Sequence, residues 1–453
     1  MEGAPFAMSR TPQRSRLMQA LRGQYTPIDD ATVDLWREHG WWAGQSIRSM
    51  LSATAARHPD RVALIGQRPD QPRVVRTYAE FDANAHHAAN VLAALGVGPG
   101  DVVVVMLPNC VEYPEIVFGI HEIGALYVGV PVAYGEMQLA AIVRRSRPKV
   151  MAVTRRWRNT ENLEIARRVM DSSDSLQHLV VLDDDGSGLR ADESLWSDHG
   201  GVSAHSLAEP DPLELCYLGF TSGTTGEPKG AMHNHETILY AVRAQALHVG
   251  GGQAFGEPMI QLVASPLGHH TGYAWGILFT VSLAGTAVHV DRWEPAWGVE
   301  IIREEGVTTF FGAPTFLQDM MRTDLATGTA NTLRLLVIAG APVPRALPAT
   351  ASAALDAYVS PAWGMTECSI LTSCTPLASD EIIATDGSPF DGSKVKIVDG
   401  RGQAVGPGEV GDLIMSGPGV TLGYFDSRAA TNEAYVDRVW FRTGDRAGVD
   451  ERG

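Results

Sequence analysis

Two kinds of apolar pattern alternate along the first half of the chain. In the helical kind, apolar residues repeat every three or four positions, most clearly after Thr77, where TYAE forms a capping box with Glu80 and Gly96 ends the run. In the strand kind, β-branched residues follow one another, as in DVVVVML at 101–107, which predicts a strand buried on both faces. This alternation predicts parallel strands joined by helices.

The alternation continues to residue 182 and resumes in the second half of the chain. The predicted elements are a helix at 46–58, a helix at 111–122, a strand at 125–132, a helix at 136–146 and strands at 150–153, 178–182, 308–314 and 333–342. The last two strands are each expected to lead into a helix. The predicted fold class is therefore α/β, with doubly wound, mostly parallel sheets that carry helices on both faces.

The texture of the sequence changes twice and suggests three regions. Residues 1–40 predict a weakly structured leader, and 41–380 hold the doubly wound α/β subdomains. From 381 to 453, short strands and glycine-rich turns without a helical pattern predict a small antiparallel β subdomain. The final residues, GVDERG, are typical of a hairpin turn whose second strand does not follow.

Composition narrows the classes of function. The chain has 453 residues and a formal net charge of −16, which argues against a nucleic-acid partner. Its four cysteines have no metal-ligand spacing, and no secretory signal is visible, so we expect reduced thiols and a cytoplasmic location. The uncharged stretch 259–290 is interrupted by Pro266 and two histidines, so we predict a strand, a loop and a core helix there, not a membrane span.

The clearest candidate for chemistry is FTSGTTGEPKG at 220–230. Glycines and hydroxyl side chains that follow a buried strand can surround an anion with N–H and O–H donors, and Lys229 adds a positive charge. The spacing from Gly223 through Gly226 to Lys229 is too short for a Walker loop, and Gly230 stands where a Walker Ser or Thr would be. From these residues alone, a flexible turn and a phosphate-binding loop both stay open.

The order of residues in this region resembles a known signature. YLGFTSGTTGEPKGAMHNH at 217–235 is similar to the phosphate loop of the adenylate-forming superfamily, which includes acyl-CoA synthetases, peptide-synthetase adenylation domains and beetle luciferases. Further segments resemble the same family in the same order along the chain. They are TYAEFDANAHHAANVLAALGVGPGDVVVVMLPN (77–109), SPLGHHTGYAWG (265–276), VIAGAPVP (337–344), AWGMTE (362–367), GEVGDLIMSGPGVTLGYF (408–425) and WFRTGD (440–445).

The resemblance implies ATP, Mg²⁺ and coenzyme A as reactants or cofactors. It assigns the β- and γ-phosphates to Thr221, Ser222, Gly223, Thr224, Thr225, Gly226 and Lys229. It places Gly340, Ala341, Pro342, Trp363 and Gly364 on the adenine side, Thr366 on a phosphate oxygen, Glu367 on Mg²⁺ and Asp445 on the ribose hydroxyls. Trp363 departs from the usual tyrosine and offers a larger stacking face without the hydroxyl.

The resemblance also points to the acid substrate. His269 is similar to the residue that borders the substrate carboxylate, and the candidates for the acyl pocket are His270, Gly272, Tyr273, Trp275, Gly312, Met365, Gly340 and Ala341. For His270 a core or loop position stays equally open. Because 265–276 contains no acidic side chain, an amino acid substrate is disfavoured, and an apolar acid, such as a bulky alicyclic or natural-product acid, is expected.

The predicted reaction needs no catalytic triad. A carboxylate is ionised at neutral pH and can attack the α-phosphorus of ATP, so the site must hold two anions together and neutralise pyrophosphate. Thioester formation with coenzyme A would follow. Because the family's C-terminal α+β lid domain is expected to be missing, we expect impaired turnover by this chain. Transfer to a carrier protein and a ligand-binding module with little turnover are the alternatives. The basic cluster at 144–158 is either a coenzyme A contact or a solvated face, and homodimerisation is left open.

Overall fold

The computed structural model describes residues 29–69, 71–182, 186–199, 209–221, 227–250, 255–327, 331–376 and 378–452. The helices in these ranges surround three β-sheets. They are α1 (Asp30–Glu38), α2 (Ile47–Arg57), α3 (Tyr78–Ala94), α4 (Glu112–Glu122), α5 (Glu136–Ser146), α6 (Asn162–Asp171), α7 (His235–His248), α8 (Phe279–Ser282), α9 (Pro295–Glu305), α10 (Pro314–Met320), α11 (Leu347–Leu355), α12 (Asp380–Ile383) and α13 (Arg428–Ala434), with a π-helix at Gly272–Leu278 and 3₁₀ turns at Trp196–His199 and Asp324–Ala326.

The largest sheet contains strands from both halves of the chain. Its members are β1 (Val62–Gln67), β2 (Val74–Thr77), β10 (Ile260–Val263), β11 (Thr286–Val290), β12 (Thr309–Gly312), β13 (Leu335–Ile338), β14 (Tyr358–Met365), β15 (Ser369–Ser373) and β16 (Ser388–Pro389). The strand order is β16-β15-β14-β13-β12-β10-β11-β1-β2, and the strands from β14 to β1 run parallel. From β10 the chain proceeds to β11 on one side and later to β12 on the other. A crevice is expected beyond the carboxyl ends of strands at such a switch.

The second sheet is built from the intervening segment. It comprises β3 (Val102–Met106), β4 (Leu126–Gly129), β5 (Val150–Thr154), β6 (His178–Leu182), β7 (Glu193–Leu195), β8 (Leu215–Thr221) and β9 (Lys229–Asn234), in the order β7-β6-β5-β3-β4-β8-β9. All neighbours run parallel except the β8–β9 pair, which is antiparallel. The candidate phosphate-binding segment therefore joins two antiparallel strands at the edge of this sheet.

The third sheet is small and antiparallel, as predicted, but its region also contains the helix α13, which the sequence pattern does not predict. It contains β17 (Lys394–Val398), β18 (Gly411–Ser416), β19 (Tyr435–Val436) and β20 (Trp440–Ala447), in the order β17-β18-β20-β19. A connecting segment, Thr421–Phe425, joins it to the rest of the molecule through backbone hydrogen bonds. The amides of Thr421, Leu422 and Phe425 donate to the carbonyls of Glu367, Met232 and Gly230, at 2.6, 2.9 and 2.8 Å.

The predicted elements have clear local causes. Thr77 caps α3 through the reciprocal capping box with Glu80, and Gly96 follows the helix with a positive φ of 75°. The predicted helix at 136–146 is α5 with the same bounds. The predicted strand at 308–314 ends earlier, at Gly312, because Pro314 begins α10. Doubly wound, mostly parallel sheets with helices on both faces confirm the predicted fold class.

The uncharged stretch 259–290 forms four short elements in place of one long helix. Strand β10 leads through a loop into the π-helix and α8, and β11 completes the segment. Across the described ranges, no helix has both the length and the apolar character that a bilayer crossing requires. The four cysteines are buried and free of disulfides.

Candidate active site

A cavity of about 630 Å³ opens where the carboxyl ends of β10, β12, β13 and β14 face the β8–β9 hairpin. This is the crevice that the switch in strand order predicts. The sequence candidates that line it come from six separate segments of the chain. They are Thr221, Lys229, His269, His270, Trp275, Gly312, Gly340, Gly364, Met365, Thr366 and Glu367.

Other sequence candidates lie elsewhere. Tyr273 does not line this cavity: its side chain is fully buried, and its hydroxyl lies 2.9 Å from Nε2 of His121. Tyr273 and Trp275 are two residues apart on a helical segment and therefore face different directions. Gly272 packs against the backbone of Pro266, where a Cβ would lie 2.2 Å from the carbonyl oxygen. Ala341 and Pro342 are exposed outside the cavity lining. Residues Ser222, Gly223, Thr224, Thr225 and Gly226 lie outside the described ranges.

Glu367 is the central charged group of the polar end of the cavity. Its side chain is almost fully buried at 3% exposure, and Tyr424 donates a hydrogen bond from its hydroxyl to Oε1 at 2.8 Å. The amino group of Lys229 lies 5.3 Å from the centre of the Tyr424 ring. Burial raises the pKa of Glu367, while the Tyr424 hydrogen bond and the charge of Lys229 oppose that rise.

The other carboxylate oxygen of Glu367 indicates a further ligand. Oε2 is buried and has no hydrogen-bond partner among the described residues. A buried carboxylate oxygen without a partner is costly, and Mg²⁺ prefers oxygen ligands supplied by one or two carboxylates and by phosphates. The geometry of Glu367 therefore fits a magnesium ligand.

The position of Thr366 in the site depends on two features that the sequence analysis does not single out. The carbonyl oxygen of Thr366 accepts a hydrogen bond from Nε2 of His233 at 2.8 Å, and burial lowers the pKa of His233 to about 4. Because the carbonyl can only accept, the proton of this neutral ring is on Nε2. Gly219 has no side chain to obstruct Thr366: a Cβ there would lie 2.3 Å from Cγ2 of Thr366.

The opposite part of the lining is apolar and aromatic. The rings of Trp275 and Phe311 are stacked with centroids 5.6 Å apart and planes at 6°. Gly312 follows Phe311 at the end of β12, where a Cβ would collide with the Phe310 ring at 2.6 Å. The two large rings and the position without a side chain form an apolar part of the cavity lining.

Two adjacent histidines border the cavity in different ways. His269 is exposed, and its Nδ1 accepts a hydrogen bond from the amide of Thr271 at 3.3 Å, so a neutral ring carries its proton on Nε2. His270 is buried, and its Nε2 lies 2.9 Å from the hydroxyl of Ser369. Ser369 itself has a φ of 60°, which is uncommon for a residue other than glycine and is frequent at functional sites. Because its proton is on Nε2, His269 can donate a hydrogen bond to a substrate oxygen.

The two candidates for adenosine contact are joined at the rim of the cavity. The indole N–H of Trp363 donates to Oδ2 of Asp445 at 3.0 Å, although the two residues belong to different sheets. Neither lines the cavity, but their neighbours Gly364 and Gly444 do. Trp363 thus fixes one oxygen of the Asp445 carboxylate and leaves the other available.

Several cavity residues have no assignment from the sequence. Tyr424, Phe311, Ser369, Tyr134 and Arg442 all contribute to the lining. Arg442 had a local signal, since it is part of the WFRTGD segment, and Tyr424 is part of the GYF segment. Their proximity to Lys229 and Glu367 depends on long-range packing that one sequence does not show.

The fold and this cavity together define an adenylate-forming enzyme domain. A sequence profile of the AMP-binding enzyme family matches residues 51–425, and the chain belongs to that family. The resemblance expected from the motifs is confirmed.

Relatives of known activity and structure support the same class. The chain is 27% identical over 437 residues to a 2-hydroxy-7-methoxy-5-methyl-1-naphthoate–CoA ligase of Streptomyces carzinostaticus, covering 93% of this chain and 76% of the relative. It is 30% identical over 425 residues to a feruloyl-CoA synthase of an Amycolatopsis species, covering 91% and 77%. The apo structure of MbtA from Mycobacterium smegmatis superposes with a TM-score of 0.82 at 28% identity, covering 96% of this chain and 77% of MbtA.

Proposed function

We propose that this chain activates an apolar carboxylic acid with ATP to form an acyl-adenylate and pyrophosphate, and that the thiol of coenzyme A then displaces AMP to form a thioester. The observation that carries the proposal is one cavity with two chemically different ends. Lys229, Thr366 and Glu367 lie at the polar end, and Trp275 and Phe311 form the apolar end.

The polar end suits the triphosphate of ATP. Lys229 supplies a positive charge, Thr366 a hydroxyl, and Glu367 a carboxylate oxygen that would hold Mg²⁺. The metal, when bound, would neutralise charge on the departing pyrophosphate. Asp445 would accept one ribose hydroxyl with the oxygen that Trp363 does not occupy.

The apolar end suits the acid. The substrate carboxylate would lie between the two ends, where the Nε2–H of His269 can donate to it. A carboxylate held against the α-phosphorus is already a nucleophile, so positioning and charge neutralisation supply the catalysis.

Acid-dependent exchange between pyrophosphate and ATP tests the first step. We expect exchange that requires both Mg²⁺ and an apolar acid, and we expect Lys229→Ala and Glu367→Gln each to reduce it by at least about tenfold. Glu409→Gln, at an exposed acid of the small sheet region, is the matched control and should retain exchange. Normal exchange in Glu367→Gln would contradict the proposed role of this carboxylate.

The thiol acceptor needs a separate assay. Thioester formation is measured with coenzyme A and with a phosphopantetheinylated carrier protein in parallel. Product with coenzyme A supports the ligase, and product with the carrier protein alone supports an acyl-AMP ligase. Acyl-adenylate binding without exchange would favour a binding module.

A further inference from the structure

The apolar end of the cavity is closed by a wall of large rings. Trp275 and Phe311 line it and are 2% and 3% exposed. Behind them, Phe279 is fully buried, with its ring centroid 4.8 Å from that of Phe311 and 5.9 Å from that of Trp275. Phe255 continues the cluster at 5.3 Å from Phe279. A ligand that reaches Trp275 meets packed core and not an opening.

The backbone that carries Trp275 is fixed. Trp275 belongs to the π-helix, a rare conformation that often occurs at functional sites. The carbonyl of Trp275 accepts a hydrogen bond from Nε2 of the buried Gln261 at 2.7 Å. The next residue, Gly276, packs so closely on Val263 that a Cβ would lie 2.7 Å from Cγ1. The ring of Trp275 therefore cannot retreat by a simple shift of its helix.

We propose that the carboxylic acid substrate is short and flat, an aryl carboxylate whose ring lies against Trp275 and Phe311, and that Trp275 limits the length of the acids that the cavity accepts. This inference rests on the proposed function, because the acid must extend from the polar end of the cavity to this wall. Trp275 and Phe311 are parallel rings that both border the cavity, and an aromatic ligand gains from offset or edge contacts with such rings.

A flexible acyl chain fits this wall poorly. Its distal methylenes would have to displace Trp275 or fold back toward the polar end, and closely packed interiors resist added volume. If Trp275 were small, those methylenes would instead be buried. Each buried methylene is worth about 0.8 kcal/mol, or roughly a fourfold gain in affinity.

Binding of stable acyl-adenylate mimics tests the wall without requiring turnover. Benzoyl- and octanoyl-sulfamoyl adenosine are titrated calorimetrically into the wild-type chain and into Trp275→Ala. We expect the wild type to bind the benzoyl compound at least about tenfold more tightly, and Trp275→Ala to gain at least about tenfold for the octanoyl compound relative to the benzoyl compound.

Two further variants make the result decisive. Trp275→Leu keeps an apolar side chain of intermediate size, so it preserves a folded protein if the alanine variant does not fold, and it should shift the preference in the same direction. Trp297→Ala removes a half-buried tryptophan of α9, outside the cavity lining, and should keep the wild-type preference.

The outcomes separate this inference from the proposed function. Octanoyl preference in the wild type, or an unchanged preference in both Trp275 variants, would overturn the length limit while the activation of apolar acids stands. Failure of the folded wild type to bind either compound would contradict the proposed function, and the length limit would fall with it.

Discussion

Tyr424 is the residue that acts most directly on the protonation state of the Glu367 carboxylate. Its hydroxyl donates to Oε1 at 2.8 Å, and no other described side chain donates to this carboxylate. Burial raises the pKa of Glu367, and this hydrogen bond opposes the rise because it favours the charged carboxylate. Metal binding needs the charged form, so the affinity for Mg²⁺-ATP should increase as pH rises through that elevated pKa.

Tyr424→Phe should therefore weaken Mg²⁺-ATP binding by about tenfold and move the midpoint of its pH dependence upward, because a hydrogen bond to a charged group contributes about 1.5 kcal/mol or more. Calorimetric titrations between pH 5 and 8 measure both effects. Tyr435→Phe is the control, since its hydroxyl donates to the carbonyl of Thr421. Equal losses in the two variants would contradict a specific role for Tyr424.

The contact between Trp363 and Asp445 predicts a second effect at the nucleotide. Trp363→Phe keeps an aromatic face and removes the indole N–H that orients Asp445. We expect a roughly twofold to twelvefold weaker affinity for ATP, from the loss of about 0.5–1.5 kcal/mol, with unchanged affinity for inorganic triphosphate. A loss shared by both ligands would place the effect at the phosphates and contradict the role in ribose binding.

At the scale of elements, a close approach between α3 and α4 depends on Gly119. A Cβ at this position of α4 would lie 2.5 Å from Cβ of Ala88 and 2.7 Å from the amide of Ala89 in α3. Gly119→Ala should reduce the free energy of unfolding by about 1–3 kcal/mol, because the two helices must move apart. Urea unfolding measures this change. Gly98→Ala is the control, since a Cβ there would have nothing within 4 Å.

The sequence predicts elements well where the cause is local. The capping box at Thr77 and the consecutive valines of β3 are decided by neighbours in the chain. The sequence predicts the site less completely than it predicts the elements. WGMTE indicates Glu367, but Tyr424 is 57 positions away and its hydrogen bond is a consequence of tertiary packing. The resemblance assigns Tyr273 and Trp275 to the same pocket, whereas the direction of each side chain depends on the helix that carries it.

Over the whole molecule, buried neutral histidines connect stability to pH. In β11, His289 is fully buried, and neither ring nitrogen has a partner in the part of the chain that the structure describes. Burial lowers its pKa to about 3, below the ordinary value of 6.5. The unfolded chain therefore binds this proton first as pH falls below 6.5, and the stability contributed by the neutral ring is lost from there toward pH 3.

His289→Leu should remove both the unpaired buried ring nitrogens and the dependence of stability on protonation of this ring. We expect the free energy of unfolding at neutral pH to rise by about 1–3 kcal/mol, because unpaired buried polar atoms are replaced by an apolar side chain. Its pH dependence between 6.5 and 3 should be less steep by up to about 1.4 kcal/mol per pH unit. Chemical denaturation across this range measures both quantities. A destabilised variant with an unchanged slope would show that the ring has a partner.

The segment Thr421–Phe425 has one more consequence. It is bonded on one side to the strand that begins with Lys229 and on the other to the carbonyl of Glu367. A nucleotide that contacts the side chains of Lys229 and Glu367 would therefore restrain this short segment on both sides. Deuterium uptake at its amides should slow when the cavity is filled, so the peptide covering 421–425 can report ligand occupancy without a chemical tag and without turnover.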